Sequence, residues 1–202
     1  MGGHVAGVIG ALQSRFLREA PDPEAVGALA RLRRGIGREP GSDYTLERYL
    51  GVPEALVQFV PDDRPADVEY AVHDAVSLYA LHQQSQRKPM HLDGDGLGRA
   101  VSSLLNKTDG PEGVRRRFAA LGTASTYQEV IYHLRGLTTM LRGHAVPLDY
   151  GLLAEDLLDL RKPYGAAKVR AAWGREFFRS RRTVEADNSA TPANDSQEEN
   201  GS

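Results

Sequence analysis

The sequence predicts an all-α protein: two packed helical bundles followed by a disordered acidic C-terminal tail. Three observations carry this. Apolar residues recur at helical spacing along most of the chain, and no alternating apolar–polar run is long enough to propose a strand. Proline, glycine and Asp punctuate the periodic stretches where helices should stop and start. From Thr183 onward the chain holds Asn, Ser, Asp, Glu and Gly without hydrophobic anchors.

The periodicity places helices over 5–18, 23–34, 46–50, 53–60, 65–84, 96–107, 111–121, 126–142, 149–160 and 165–182. Asp22-Pro23 starts the second, since Asp accepts from free amides and proline suits the first helical turn. Gln86 to Asp95, with Pro89 and Gly94, is the longest internal loop candidate. Asp109-Gly110-Pro111, Ser125, Pro147 and Pro163 mark the later breaks. A junction at Thr108-Asp109-Gly110 divides the expected bundles into 1–107 and 108–182, with 183–202 as the tail.

With 202 residues and 41% hydrophobic content, the chain can bury a real core. No apolar stretch approaches the roughly 20 residues needed to cross a bilayer, so no membrane is expected. Met1-Gly2-Gly3-His4-Val5 lacks the basic segment and apolar block of a secretory signal, and a cytoplasmic location is the expectation. The absence of cysteine rules out disulfides and thiolate metal sites.

The formal net charge of −2 hides an uneven distribution. Glu185, Asp187, Asp195, Glu198 and Glu199 fall in the tail, which has no Lys or Arg. Setting them aside leaves 25 bases against 22 acids, and residues 161–182 hold eight bases against the single Glu176. The body is mildly basic, with local positive patches.

Those patches are arginine-rich and flank apolar stripes. On the helix over 126–142, Tyr127, Val130, Ile131, Leu134, Leu137 and Leu141 form one stripe, and Arg135 and Arg142 lie together along its edge. Seven positions apart, they are separated by about 10 Å. They suit two phosphates of one strand, or they snorkel beside the core. In Arg115, Arg116 and Arg117, three guanidinium groups fan over most of a turn with Glu112 as the nearest acid, and phosphates would relieve their repulsion. The alternative is a solvated cluster. Arg33 and Arg34 end the second helix, where basic residues also complement the helix dipole. Arg33 falls inside the apolar arc, so either the helix stops before it or it meets a partner.

No assembled catalytic set emerges. His73-Asp74 resembles the metal-binding pair of HD phosphohydrolases, but His4 is the only earlier histidine. There is no His-Glu-x-x-His, Gly-rich phosphate loop or nucleophile elbow. Asp93 to Gly96 lacks the closing acid of a calcium loop. The expectation is a binder without catalytic residues, metal or cofactor.

The order Leu97-Gly98-Arg99-Ala100, Arg115-Arg116-Arg117-Phe118, Tyr132-His133-Leu134-Arg135-Gly136-Leu137, Pro147-Leu148-Asp149-Tyr150 and Val169 to Phe178 resembles the small subunit of type I-E CRISPR Cascade, the CasB family. The resemblance covers roughly residues 97–178. It implies a non-catalytic helical subunit, present as two copies beside other Cascade subunits and guide RNA. It further implies contacts with target and non-target DNA strands that stabilise the R-loop. Carried over residue by residue, this role falls to Arg34, Arg99, Arg115, Arg116, Arg117 and Arg135, with Arg33 and Arg142 beside them. A helical scaffold joining protein subunits without touching nucleic acid is the alternative.

Overall fold

Helix starts follow their capping residues. In the computed structural model, which describes residues 1–57 and 64–189, α1 (Gly2–Phe16) and α2 (Pro23–Gly35) are separated by a short turn. Asp22 Oδ1 accepts from the amides of Glu24 and Ala25 ahead of Pro23. α1 begins three residues earlier than its sequence suggests, because its first amide has a tertiary partner: Gly2 N donates to Glu155 Oε1 at 3.2 Å.

A 3-10 turn (Tyr44–Leu46) leads into α3 (Glu47–Leu50). The helix expected over 53–60 is reduced to a 3-10 turn, Glu54–Leu56, and 58–60 lie outside the described residues. None of its residues is fully buried, and Leu56 packs against the edge of the core.

α4 (Asp67–His82), α5 (Leu97–Leu105), α6 (Pro111–Thr123), α7 (Tyr127–Gly143) and α8 (Tyr150–Arg161) follow. α7 opens on a capping box: Thr126 Oγ1 accepts from Glu129 N at 3.2 Å while Glu129 Oε2 accepts from Thr126 N at 3.3 Å. Asp149 starts α8 by accepting from Leu152 N at 3.0 Å.

α9 (Gly165–Ser189) continues past the expected start of the tail at Thr183. Its Arg-Arg-Thr-Val-Glu-Ala-Asp stretch has no helix breaker, and Pro192 comes later. The rest of the expected tail, 190–202, lies outside the described residues. The described residues contain no strand, only a bridge between His91 and Leu148.

α4 forms the middle of the fold. Every residue from Ala71 to Ala80 is buried, because the helix is apolar on nearly all sides and packs on α1, α2, α7 and α8. Helices from both expected bundles share one buried cluster that runs from Val5 to Phe177. Tyr150 lies in it, edge-on to Tyr79 at 5.5 Å, and shares a 3.0 Å hydrogen bond with His82. Burial pushes the His82 pKa down to about 3, so the imidazole is neutral.

α5 and α9 pack closely at Gly98, where a Cβ would run into the Trp173 carbonyl. Trp173 Nε1 donates to Asp156 Oδ2 at 2.6 Å and ties α9 to α8; burial lifts that carboxyl to about 6. No helix among the described residues is long and apolar enough to cross a membrane.

Candidate nucleic-acid interface

α7 runs through the middle of the basic face. Its stripe of Val130, Ile131, Leu134, Leu137 and Leu141 is buried, so the residues beside the stripe are presented outward. Arg135 and Arg142 lie on one side of the helix, as seven-residue spacing requires. Tyr132, 67% exposed, stands one turn before Arg135.

α6 runs antiparallel along one flank of α7 and brings Arg116 and Arg117 to Tyr132 and His133. The four line a depression of about 190 Å³. Gly136 makes room for Arg117: a Cβ at that position would lie 2.7 Å from Arg117 Cζ and 2.8 Å from its Cδ.

On the other flank, Gly37 turns the chain at φ 74° just after α2. Arg38 then emerges beside Arg135 and Tyr132 in a second depression of about 240 Å³. Ile36, Tyr70, Tyr127 and Ile131 give that depression an apolar lining.

Among the described residues, Arg33, Arg38, Arg116, Arg117 and Arg135 have no carboxylate within 4.0 Å. α2 does not stop before Arg33. Partial burial lowers the pKa of Arg33, and the charges of Arg142 and Arg34 lower it further. Arg33 is thus close enough to Arg142 and to Arg34 to be repelled by each.

The other predicted residues are engaged differently. Arg142 Nη1 donates to Gln84 Oε1 at 2.7 Å and to Leu81 O at 3.4 Å, which ties it to the C-terminus of α4. Arg34 sits with Arg31 near Asp43; the Asp43 pKa is lowered chiefly by a hydrogen bond from Thr45, with both arginines adding to it. Arg99 pairs with Asp95 at 3.2 Å. Arg115 turns away from Arg116 toward Arg170 and Phe178, and its Nε lies 3.8 Å from Glu112. The eight predicted arginines therefore do not form one track. Arg116 and Arg117 share one depression and Arg135 lines the next, with Tyr132 lining both; Arg33 lies near Arg142 and Arg34, and Arg99 and Arg115 line neither depression.

Comparison with known proteins places this architecture. The family model for the CRISPR-associated protein Cse2 (CRISPR_cse2) matches residues 28–178. The chain belongs to the Cse2 family. Its resemblance to CasB is thereby borne out: it is similar to CasB from Thermobifida fusca at 39% identity and a TM-score of 0.71, covering 87% of this chain and 96% of that one. A Cse2-family protein of Thermus thermophilus has the same fold at 24% identity and a TM-score of 0.63, over 88% and 97% of the two chains. A chain of a CRISPR RNA-guided surveillance complex shares the fold at 21% identity and a TM-score of 0.67, over 93% of this chain and 98% of that one. The uncharacterized protein 041R of Frog virus 3 (isolate Goorha) is 35% identical over 103 residues. That match takes in 50% of this chain but spans only 8% of the viral protein.

Two clusters of acids and histidines in this Cse2 chain are tied into the hydrogen bonds of the fold. His73 Nδ1 lies 3.3 Å from Asp74 Oδ1, both residues are buried, and Asp74 Oδ2 accepts from Tyr127 OH at 2.9 Å. His91, Asp93 and Asp149 bring their ligand atoms within 4.8 Å of one another. However, Asp149 already accepts from Gly94 N and Leu152 N, and His91 Nδ1 accepts from Tyr150 N.

Sequence reasoning passed over Arg38 and Tyr132 as site residues. Arg38 follows the last helical turn of α2, where no stripe indicates direction. Tyr132 left a signal: it is an aromatic residue off the apolar stripe, three positions from Arg135.

Proposed function

We propose that this Cse2-family chain is a non-catalytic subunit of a CRISPR surveillance complex that holds nucleic acid by its backbone. It works there beside other Cascade subunits and guide RNA, as two copies, and contacts target and displaced DNA strands. The observation that carries this is a pair of neighbouring depressions, one lined by Arg116 and Arg117 and the other by Arg38 and Arg135, with Tyr132 lining both and none of the four arginines paired with a carboxylate within 4.0 Å among the described residues. Guanidinium groups left without anions are satisfied by phosphates, each with two parallel donors.

Such contacts read charge and spacing rather than base identity, so the guide RNA keeps its role in specificity. R-loop formation exchanges one duplex for another at nearly balanced free energy. A few backbone contacts to the displaced strand are then enough to oppose re-pairing. A single subunit with a modest basic excess binds weakly, and the assembly multiplies its hold.

The test is charge reversal. Arg116→Glu, Arg117→Glu and Arg135→Glu together should abolish most strand binding in an anisotropy titration. The slope of log affinity against log salt should fall by about three units, roughly one per phosphate contact. Unchanged binding with intact circular dichroism would overturn the proposal. Assembly with purified partner subunits that resists nuclease and ignores these reversals would favour the protein scaffold instead.

A further inference from the structure

We infer that Tyr132 is a stacking platform for an unpaired nucleobase, with the neighbouring arginines holding the phosphates on either side of it. This rests on the proposed strand-holding function and gives it a preference for single strands.

Tyr132 exposes two-thirds of its surface from the middle of a helix whose apolar stripe is otherwise buried. An exposed aromatic face there gains nothing from the protein core. His133 forms a T-shaped pair with it, ring centroids 5.3 Å apart and planes at 73°, a geometry in which the imidazole can occupy at most one of the two tyrosine faces. The ring forms the ridge between the two depressions, and it lines both. Arg116 and Arg117 lie on one side of that ridge, Arg135 and Arg38 on the other.

This is the arrangement a single strand requires: a flat ring for the base, and cations at either side for its phosphates. In a duplex the bases are already stacked on each other, so the ring has nothing to receive. An acidic protein segment would satisfy the arginines but not the ring. Asp74, the one acid lining the depressions, is buried and accepts from Tyr127 OH, so it does not compete for the arginines at the surface. Exposure alone does not mark such a site. Tyr164, 96% exposed in the turn before α9, lines neither depression and serves as the control.

The test uses the full chain and four labelled probes of equal length: oligothymidine, oligouridine, an abasic strand and a duplex. Tyr132→Ala should weaken oligothymidine and oligouridine binding about tenfold, the size of one lost base–aromatic stack. Abasic-strand and duplex binding should not change, nor should the salt slope. Tyr132→Phe should restore affinity, and Tyr164→Ala should have no effect. Equal losses on abasic and base-bearing strands would overturn the inference. So would full oligothymidine affinity in Tyr132→Ala while Arg117→Glu still weakens it, an outcome that leaves the strand-holding function standing. A wild-type chain that binds none of the four probes would defeat both.

Discussion

Two arginine groups in this molecule have opposite electrical surroundings. Where α1 meets α2, Arg15 donates from Nε to Asp22 at 2.9 Å and from Nη2 to Glu24 at 2.6 Å, and Arg48 donates to the same Glu24 at 2.6 Å. Hydrogen bonds from Arg15 hold both carboxyls below their usual range and raise its own pKa. On the α6–α7 face, Arg116, Arg117 and Arg135 have no such partners among the described residues. The same side chain closes a structural corner in one place and remains open to an outside anion in the other. What separates the two roles is the position of the acids, not the number of arginines.

The contrast can be broken by giving the open face a carboxylate. Ala120 lines the depression with Arg116 and Arg117, three and four positions along α6 from them. Ala120→Glu should close the pair as Asp22 and Glu24 close Arg15. Strand affinity should fall, with about one to two units lost from the salt slope and the melting temperature held. A salt slope equal to wild type would mean that the pair was never the strand's contact.

Gly136→Ala is a smaller intervention. The added methyl occupies the space of the Arg117 guanidinium and should displace that one side chain, removing about one unit of salt slope. Alanine in a helix interior is about 1 kcal/mol better than glycine, so stability should hold or rise as affinity falls. A variant that loses both would place Arg117 in the structural class.

Arg15→Ala should have the smallest effect on binding, none by anisotropy. Its consequence is confined to stability, and to pH above the range in which the carboxyls titrate. Asp22 and Glu24 have lowered pKa values in the folded chain, so their stabilisation is present above the ordinary carboxyl range. It is lost as pH falls through the lowered values. The variant should melt earlier than wild type at neutral pH, and the gap should close on acidification. A gap that persists at low pH would sever the corner's stability from its charges.

Much of the fold was legible because caps and periodicity agree, as at Asp22-Pro23 and at Thr126 with Glu129. The early start of α1 was not, since Gly2 is a poor helix former and its amide is satisfied by Glu155, 153 residues away. The site was legible in part. Arg116, Arg117 and Arg135 stood out as charges beside apolar stripes. Arg99 and Arg115 looked the same, though their acids, Asp95 and Glu112, lie one helical turn away in sequence. Arg142 could not be sorted locally at all, because Gln84 meets it only through the packing of α4 on α7.

The enclosure of α4 imposes an order on synthesis. A ribosome releases Ala71 to Ala80 well before α7 and α8, two of the helices that pack on them. During that interval a sticky rod of valine, leucine and tyrosine stands half-clothed, and a chain halted near Lys107 would clump. Only when the second half arrives is that surface covered by α7 and α8.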